Sequence, residues 1–452
     1  MYILESDKEL TDERLIKFLN KHQDDVNKRY RKLKDAYEGR YEIFKGRKKP
    51  SWKPDNRIAV NFAKYIVDTM NGFFIGVPIK VTTEEGNDKL TEYIEFLDGY
   101  NDMDNQNAEL SKYASMFGKC YDLYYVDEES NIGITHTTPM ESFMIYDDSI
   151  IGRPRYFVRT YVDTDNLLHG SVSDSKVVRY FTKPGGLKWE NDREKSHGFN
   201  GVPATEYNEN EESIGTFEPV LTMINAYNKA ISEKANDVDY FADAYMRVLG
   251  ALVDEDTIQE IRRNRIINFE GDAQGLNIDF LQKPNGDTTQ ENLINRLEKL
   301  IFQTSMVANI SDETFGTSSG IALKYKLLAM SNMAKTKELK FKSALSRRYK
   351  LILSNEISHQ HGVSAEDFVK LSYHFTQNYP NNILEETQIA RNLEGMVDKE
   401  TQLKVLSIVD NPQDVIDKMA KETEEAQEQA LALMEQRMQI QSDTGDTDIN
   451  GQ

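Results

Sequence analysis

The segment Gly316-Thr317-Ser318-Ser319-Gly320 fits the Gly-x-Ser-x-Gly pattern of a nucleophile elbow. In an elbow, a serine on a sharp strand-to-helix turn presents its hydroxyl for acyl transfer. Asp367 and His374 follow in the chain order of the hydrolase triad. The chemistry would be base-assisted attack on an ester or amide carbonyl. The context argues against it, because an elbow needs a strand before the serine. Here a helical pattern and a polar loop precede Gly316. The flanking glycines instead describe a loop that rearranges at low cost, with Ser318 or Ser319 capping the next helix.

The other chemistry-bearing residues are weaker still. His359 and His361 stand two apart near a helix end, so they point to different faces and do not share a metal; a polar or cationic helix terminus is their expected role. The acidic pairs Asp147-Asp148 and Asp237/Asp239 have no matched His or Cys partner and read as solvated faces. There is no Gly-x-x-x-x-Gly-Lys-[Ser/Thr] phosphate loop and no His-Glu-x-x-His motif. The single cysteine, Cys120, excludes an internal disulfide framework and a Cys-rich zinc site, and makes a reducing setting the default. No catalytic residue, metal or cofactor is expected, and the residues favour a non-enzymatic assembly component.

The elements that hold these residues carry uneven charge. The 452 residues hold 55 Lys and Arg against 75 Asp and Glu, a net −20, a poor balance for a tight sequence-specific duplex binder. Residues 21–49 carry eleven bases against five acids, and residues 320–350 nine against one. Residues 80–150 carry four bases against sixteen acids, and residues 380–452 six against sixteen. Such blocks can pair across subunit interfaces, where complementary charge fixes register, or form solvated helix faces. Residues 1–13 hold six charges and no apolar run, unlike a signal peptide. The most apolar stretch, 58–79, is broken by Asn61, Lys64, Asp68 and Asn71, so a buried helix is expected there, not a membrane span.

Apolar spacing predicts an α+β, mostly helical chain. Helices are expected at 11–38 with Thr11 as cap, at 61–74, 89–98 and 107–117, and strands at 79–83, 120–127, 144–146, 155–163 and 176–182. A long helix at 217–245 and another at 289–308 bracket a small insert, read as strand 248–253, helix 256–264 and strands 266–269 and 276–283: a stalk with a tip. After the loop 312–320 a helix runs to about 358, too long for one compact domain. A strand at 368–375 and helices at 384–393, 399–405 and 412–439 follow, then a disordered tail from Ser442.

Four segments together resemble the portal proteins of long-tailed bacteriophages of Gram-positive bacteria. They are Asn56-Arg57-Ile58-Ala59-Val60-Asn61-Phe62 with Phe74-Ile75-Gly76-Val77-Pro78; Phe117-Gly118-Lys119-Cys120-Tyr121 through Asp127; Phe315-Gly316 with Ser319-Gly320-Ile321-Ala322-Leu323; and Phe375-Thr376-Gln377-Asn378-Tyr379-Pro380 with Leu393-Glu394-Gly395 and Asp410-Asn411-Pro412. One departure is Asp398, where the family pattern leads one to expect serine; aspartate caps a helix equally well.

The resemblance implies a homo-oligomeric ring, usually of twelve copies, at one capsid vertex of the virion, assembled in the host cytoplasm without a membrane. Such rings nucleate procapsid assembly with capsid and scaffolding proteins and dock the packaging motor (terminase). They pass double-stranded DNA without sequence specificity, then bind a head-completion adaptor before ejection. It maps a wing onto 1–216 and 310–375, stem helices onto 217–245 and 288–309, a clip onto 246–287, and a crown onto 376–441, ahead of the 442–452 tail. The helix after the loop would be a long, kinked wing helix. The tunnel loop would present Thr314, Phe315, Gly316, Thr317, Ser318 and Ser319 to DNA. Glu233, Asp237 and Asp239 on the stem would repel phosphates, and Arg262, Arg263 and Arg265 in the clip would meet an acidic partner. The alternatives are a hydrolase using Ser318 and a generic phage scaffold or adaptor.

Overall fold

The computed structural model describes residues 1–50, 53–84, 86–242, 246–249, 277–280, 287–311, 320–378, 383–406, 408–409, 412–413 and 415–423. The chain divides into one compact unit of residues 1–312 and 326–378 and a second of residues 313–325 and 379–452.

In the first unit, α1 (Asp12–Asp25) starts where Thr11 accepts a hydrogen bond from the backbone of Arg14. The helical pattern expected to 38 is interrupted by a π turn at Val26–Tyr30, where Arg29 turns out to pair with Glu218 at 2.7 Å, and resumes as α2 (Arg31–Tyr37). Asn61 caps α3 (Phe62–Ile75), which is buried along eight positions. After β2 (Lys80–Thr83) come α4 (Asp88–Tyr100) and α5 (Met103–Phe117). α5 begins four residues earlier than its apolar spacing predicts, because Asp102 adopts a left-handed turn that reverses the chain directly into it.

Three strands, β3 (Lys119–Val126), β4 (Ile132–Thr137) and β11 (Ala204–Asn208), form one sheet in the order β11-β3-β4. The larger sheet runs β1 (Tyr2–Ile3), β5 (Ser142–Tyr146), β6 (Pro154–Val162), β7 (Leu168–Ser173), β8 (Val177–Thr182) and β10 (Lys195–Ser196), with β9 (Lys188–Trp189) also on β8. Its turns use local chemistry. Asp147, Asp163 and Asp174 each accept backbone N–H groups two to six residues ahead, the Asx-turn device. Leu15 and Leu19 of α1 pack on Phe143, Ile145, Val158, Val172 and Phe181 of this sheet. His22 on the same helix is buried, holds the Pro139 carbonyl at 2.8 Å, and has its pKa lowered by that burial.

α6 (Leu221–Ala242) follows a 3-10 turn at Glu218–Val220 and packs against α7 (Asp287–Ser305). Of the insert between them, the described part is an antiparallel pair, β12 (Met246–Leu249) with β13 (Asn277–Phe280). The expected helix 256–264 and strand 266–269 lie outside the described residues. α8 (Gly320–Ile352) is one 33-residue helix. It ends six residues before the expected point, because Asn355 caps a new short helix, Glu356–Gln360, by accepting from the backbone of Ile357. β14 (Leu371–His374) then pairs with β2, nearly 300 residues earlier in the chain. In the second unit, α9 (Ile383–Asn392) precedes α10 (Lys399–Leu403), which Asp398 caps at 2.8 Å from the Thr401 nitrogen.

Asp98 on α4 is half-buried against the C-terminal part of α8, 3.4 Å from the Tyr349 hydroxyl. Burial raises its pKa to about 6, against the opposing pull of Arg348. Its folded pKa therefore lies above the unfolded value of 3.8, so its contribution to stability is fully present below about pH 4 and lost as pH rises through about 6. Asp98→Asn is expected to be more stable than the native chain by about 3 kcal/mol at pH 7, with the difference vanishing below pH 4. Urea unfolding at several pH values measures this; equal stabilities at pH 7 would refute it.

Candidate functional site

The loop residues Thr314, Phe315, Gly316, Thr317, Ser318 and Ser319, and the tip residues Arg262, Arg263 and Arg265, lie outside the described residues. The residues that would complete a triad with Ser318 are used locally. Asp367 accepts from the backbone of Ser364 at 2.7 Å and pairs with Lys370 at 2.9 Å, while exposed His374 meets the Thr82 hydroxyl at 2.9 Å. His361 stacks on Tyr93, with ring centroids 4.6 Å apart, and His359 sits in the last turn of its short helix. Among the described residues no cluster of three His, Cys, Asp or Glu side chains could hold a metal, and no helix is long and apolar enough to cross a membrane.

The three acids of α6 each have a partner in their own chain. Glu233 pairs with Lys49 at 2.9 Å, Asp237 accepts from Gln290 of α7 at 2.9 Å, and Asp239 accepts from Asn56. These contacts flank a ladder that sequence spacing had not revealed. The backbone N–H groups of Val60, Ile58 and Asn56 donate to Asn228, Ser232 and Asn236 at 2.8, 2.9 and 2.6 Å. Four residues of helix rise about 6 Å and two residues of extended chain about 6.6 Å. Every fourth side chain of α6 therefore meets every second amide of residues 56–60. Asn228 and Ser232 are each 1% exposed, so these amides find in α6 the partners that water would otherwise supply. Arg57, inside the same segment, donates to the carbonyls of Phe44, Gly46 and Arg47 and to Asp55. The motif Asn56–Phe62 thus pins the basic loop 46–50 beside α6.

A second arrangement fixes α8. Lys337 and Arg348, eleven residues and so about three turns apart, lie on one face with Phe341, Ala344, Leu345 and Ile352. Both cations are fully buried. Arg348 donates to Asp122 on β3 at 2.7 Å and to Asn107 on α5 at 2.8 Å, with its guanidinium 5.2 Å from the Tyr207 ring centroid. Asp122 also accepts from the Tyr124 hydroxyl and from the backbone of Thr205. Lys337 pairs with Glu209 at 2.8 Å and donates to the Ser111 carbonyl and the Ser115 hydroxyl. Burial lowers the Lys337 pKa, against the pull of Glu209. Arg348 is also opposed by burial, yet Tyr207 and Asp122 hold its pKa above the ordinary value. Beside them, burial pushes the Cys120 thiol up, so it stays a neutral packing group.

Part of the basic block 320–350 therefore pairs inside the subunit: with Asp122, with Glu209, and with Glu211 through Lys340. Sequence reading took that block as one unit of charge. The signal it passed over is that positions 337 and 348 keep the same helical period as the apolar positions between them. Lys337, Arg348, Asp122 and Glu209 are all buried. Chemically, the arrangement is a clamp that ties one long helix to the β11-β3-β4 sheet.

A sequence profile described as "Phage portal protein, SPP1 Gp6-like" matches residues 16–429. The "Portal protein" of Clostridium phage phiCD119 is 23% identical over 379 residues, covering 77% of this chain and 80% of that protein. A solved structure titled "Neck of empty GTA particle computed with C6 symmetry" aligns at a TM-score of 0.46 and 11% identity, over 80% of this chain and 96% of that one.

Proposed function

The chain belongs to the SPP1 Gp6-like family of phage portal proteins, and from that premise we propose that it forms a twelve-subunit ring at one capsid vertex, assembled in the host cytoplasm. Through this ring DNA enters during packaging and leaves on ejection, while packaging motor and tail adaptor dock in turn. The observation that carries this reading is the profile match over residues 16–429, nearly the whole chain. The buried clamp is consistent with it, because a ring subunit needs rigid elements and Lys337 and Arg348 hold their stretch of α8 on the β11-β3-β4 sheet. The proposed tunnel loop holds no basic residue between Val307 and Ile321, so it contacts phosphate weakly and lets DNA slide. The role is structural, with no catalysis.

Microscopy of the purified protein tests the ring directly, and sizing should place it near 624 kDa, twelve times 52.0 kDa. Gly316→Pro is expected to leave rings and procapsids intact but to cut packaged DNA per particle at least about tenfold in a complementation assay, because proline fixes the loop backbone. Normal DNA content, or failure to form rings, would show that this loop is not the moving constriction. Ser318→Ala is expected to leave both ring formation and any trace ester hydrolysis unchanged. Hydrolysis present in the native protein and lost in the variant would establish the enzyme alternative instead.

A further inference from the structure

The tip of the β5–β6 turn carries Ile150 and Ile151, whose relative exposures are 107% and 76%. Turn tips favour Gly, Asn, Asp and Ser, so two adjacent isoleucines in water need a reason. The turn holding them is well tied. Asp147 accepts from the backbone of Ser149 and Arg153 at 3.2 and 2.7 Å, and Asp148 accepts from the backbone of Ser6 at 2.9 Å. At the far end of the same strand, Thr160, Tyr161 and Val162 line a groove of about 580 Å³. That lies within the roughly 300–1,000 Å³ typical of ligand pockets and leaves room for both side chains. β6 covers nine residues, an end-to-end span of about 26 Å at 3.3 Å per residue, with the tip before its start and the groove at its end.

We propose that the Ile150–Ile151 tip of one copy seats in the groove of the next copy, as a head-to-tail contact repeated around the ring. The inference rests on the ring reading above. Its geometry is what a heterologous interface requires: two different, complementary patches, one before the start of β6 and one at its end. Tyr113, Met140 and Val162 offer apolar lining for the isoleucines. Charge agrees as well. Asp147 and Asp148 flank the tip, and Arg31, Lys34 and Lys112 line the groove, Lys112 being already paired with Glu109, so that Arg31 is the groove cation left for a neighbour. Arg31 is exposed and has no ion pair among the described residues. Of the two groove carboxylates, Glu38 and Glu141, the first is already engaged by Arg40 and Lys34.

The test uses the full-length protein. Ile150→Cys combined with Val162→Cys is oxidised in assembled rings and run on a denaturing, non-reducing gel; Cys120 is buried and does not interfere. The expected result is a ladder of linked subunits up to the ring number. A mixture of the two single variants should stop at dimers. Independently, the double substitution Ile150→Asp, Ile151→Asp should raise the concentration for half-assembly at least about tenfold. Melting of the unassembled subunit should stay unchanged, because the tip is solvent-exposed in the subunit. Rings that give no ladder, or an Asp variant that assembles at the native concentration, would overturn this contact and leave the ring reading standing. An Asp variant that forms normal rings but fails to enter capsids would overturn it too, assigning the tip to another protein. A native protein that forms no ring would defeat the ring reading itself.

Discussion

Arg348→Met is expected to lower subunit stability by about 3–5 kcal/mol, because removing one partner of a buried pair leaves the other charge uncompensated. Asp122 would remain 0% exposed, holding the Tyr124 hydroxyl and the Thr205 amide but no cation. The double variant Arg348→Met, Asp122→Leu should recover much of the loss, since replacing a whole buried pair by apolar groups is often near neutral. A surface control is at hand in Lys340→Met. Its partner Glu211 is 79% exposed, and that pair should count for less than about 1 kcal/mol. Urea unfolding at one fixed protein concentration reads all three, so that assembly does not shift the midpoints. A single variant no worse than the Lys340 control would show that the Arg348–Asp122 pair does not hold α8.

Gly118→Ala is expected to cost about 2–5 kcal/mol. Gly118 joins α5 to β3 at φ 85°, and a Cβ there would stand 2.0 Å from the Ser213 carbonyl oxygen and 2.8 Å from the Ile214 nitrogen. The left-handed backbone costs a non-glycine residue roughly 1–2 kcal/mol, and forcing backbone apart adds about 1–3 kcal/mol. The Gly118 carbonyl accepts from the Glu209 amide at 2.9 Å, so displacing this chain also disturbs the partner of Lys337. Gly72→Ala makes the contrast. It lies inside α3, and a Cβ there would meet nothing within 4 Å, so it should gain up to about 1 kcal/mol from helix propensity. Thermal or urea unfolding of the two variants gives the sign of each, and equal signs would sink the argument.

The clamp also narrows what the uneven charge means. Complementary blocks invite an intermolecular reading, yet Lys337, Lys340 and Arg348 find carboxylates in their own subunit. The charges left for a neighbour are the exposed ones without ion pairs among the described residues, such as Arg31 on α2 and Glu92 and Glu95 on α4. Net charge per segment counts the two kinds alike, because composition carries no information about burial.

What sequence alone determined here is what neighbouring residues decide. Thr11, Asn61 and Asp398 cap helices because a side-chain oxygen reaches an amide two or three residues ahead. Asp147, Asp163 and Asp174 turn hairpins by the same short reach, although the sequence reading took Asp147 for a solvated face and Asp163 for the end of a strand. Apolar periodicity placed α3, α6, α7 and most of α8, since one buried stripe per helix is enough to write that pattern. Family resemblance was legible for a related reason: motifs such as Asn56–Phe62 and Phe117–Asp127 are contiguous strings. What those strings hold together was decided only by the tertiary structure. The first string lies along Asn228, Ser232 and Asn236, and the second brings Gly118 against Ser213 and Asp122 against Arg348. These partners stand from 95 to 226 residues apart. Pairing over such distances is selected by packing and by the cost of leaving a buried amide or charge unmatched, neither of which leaves a local trace.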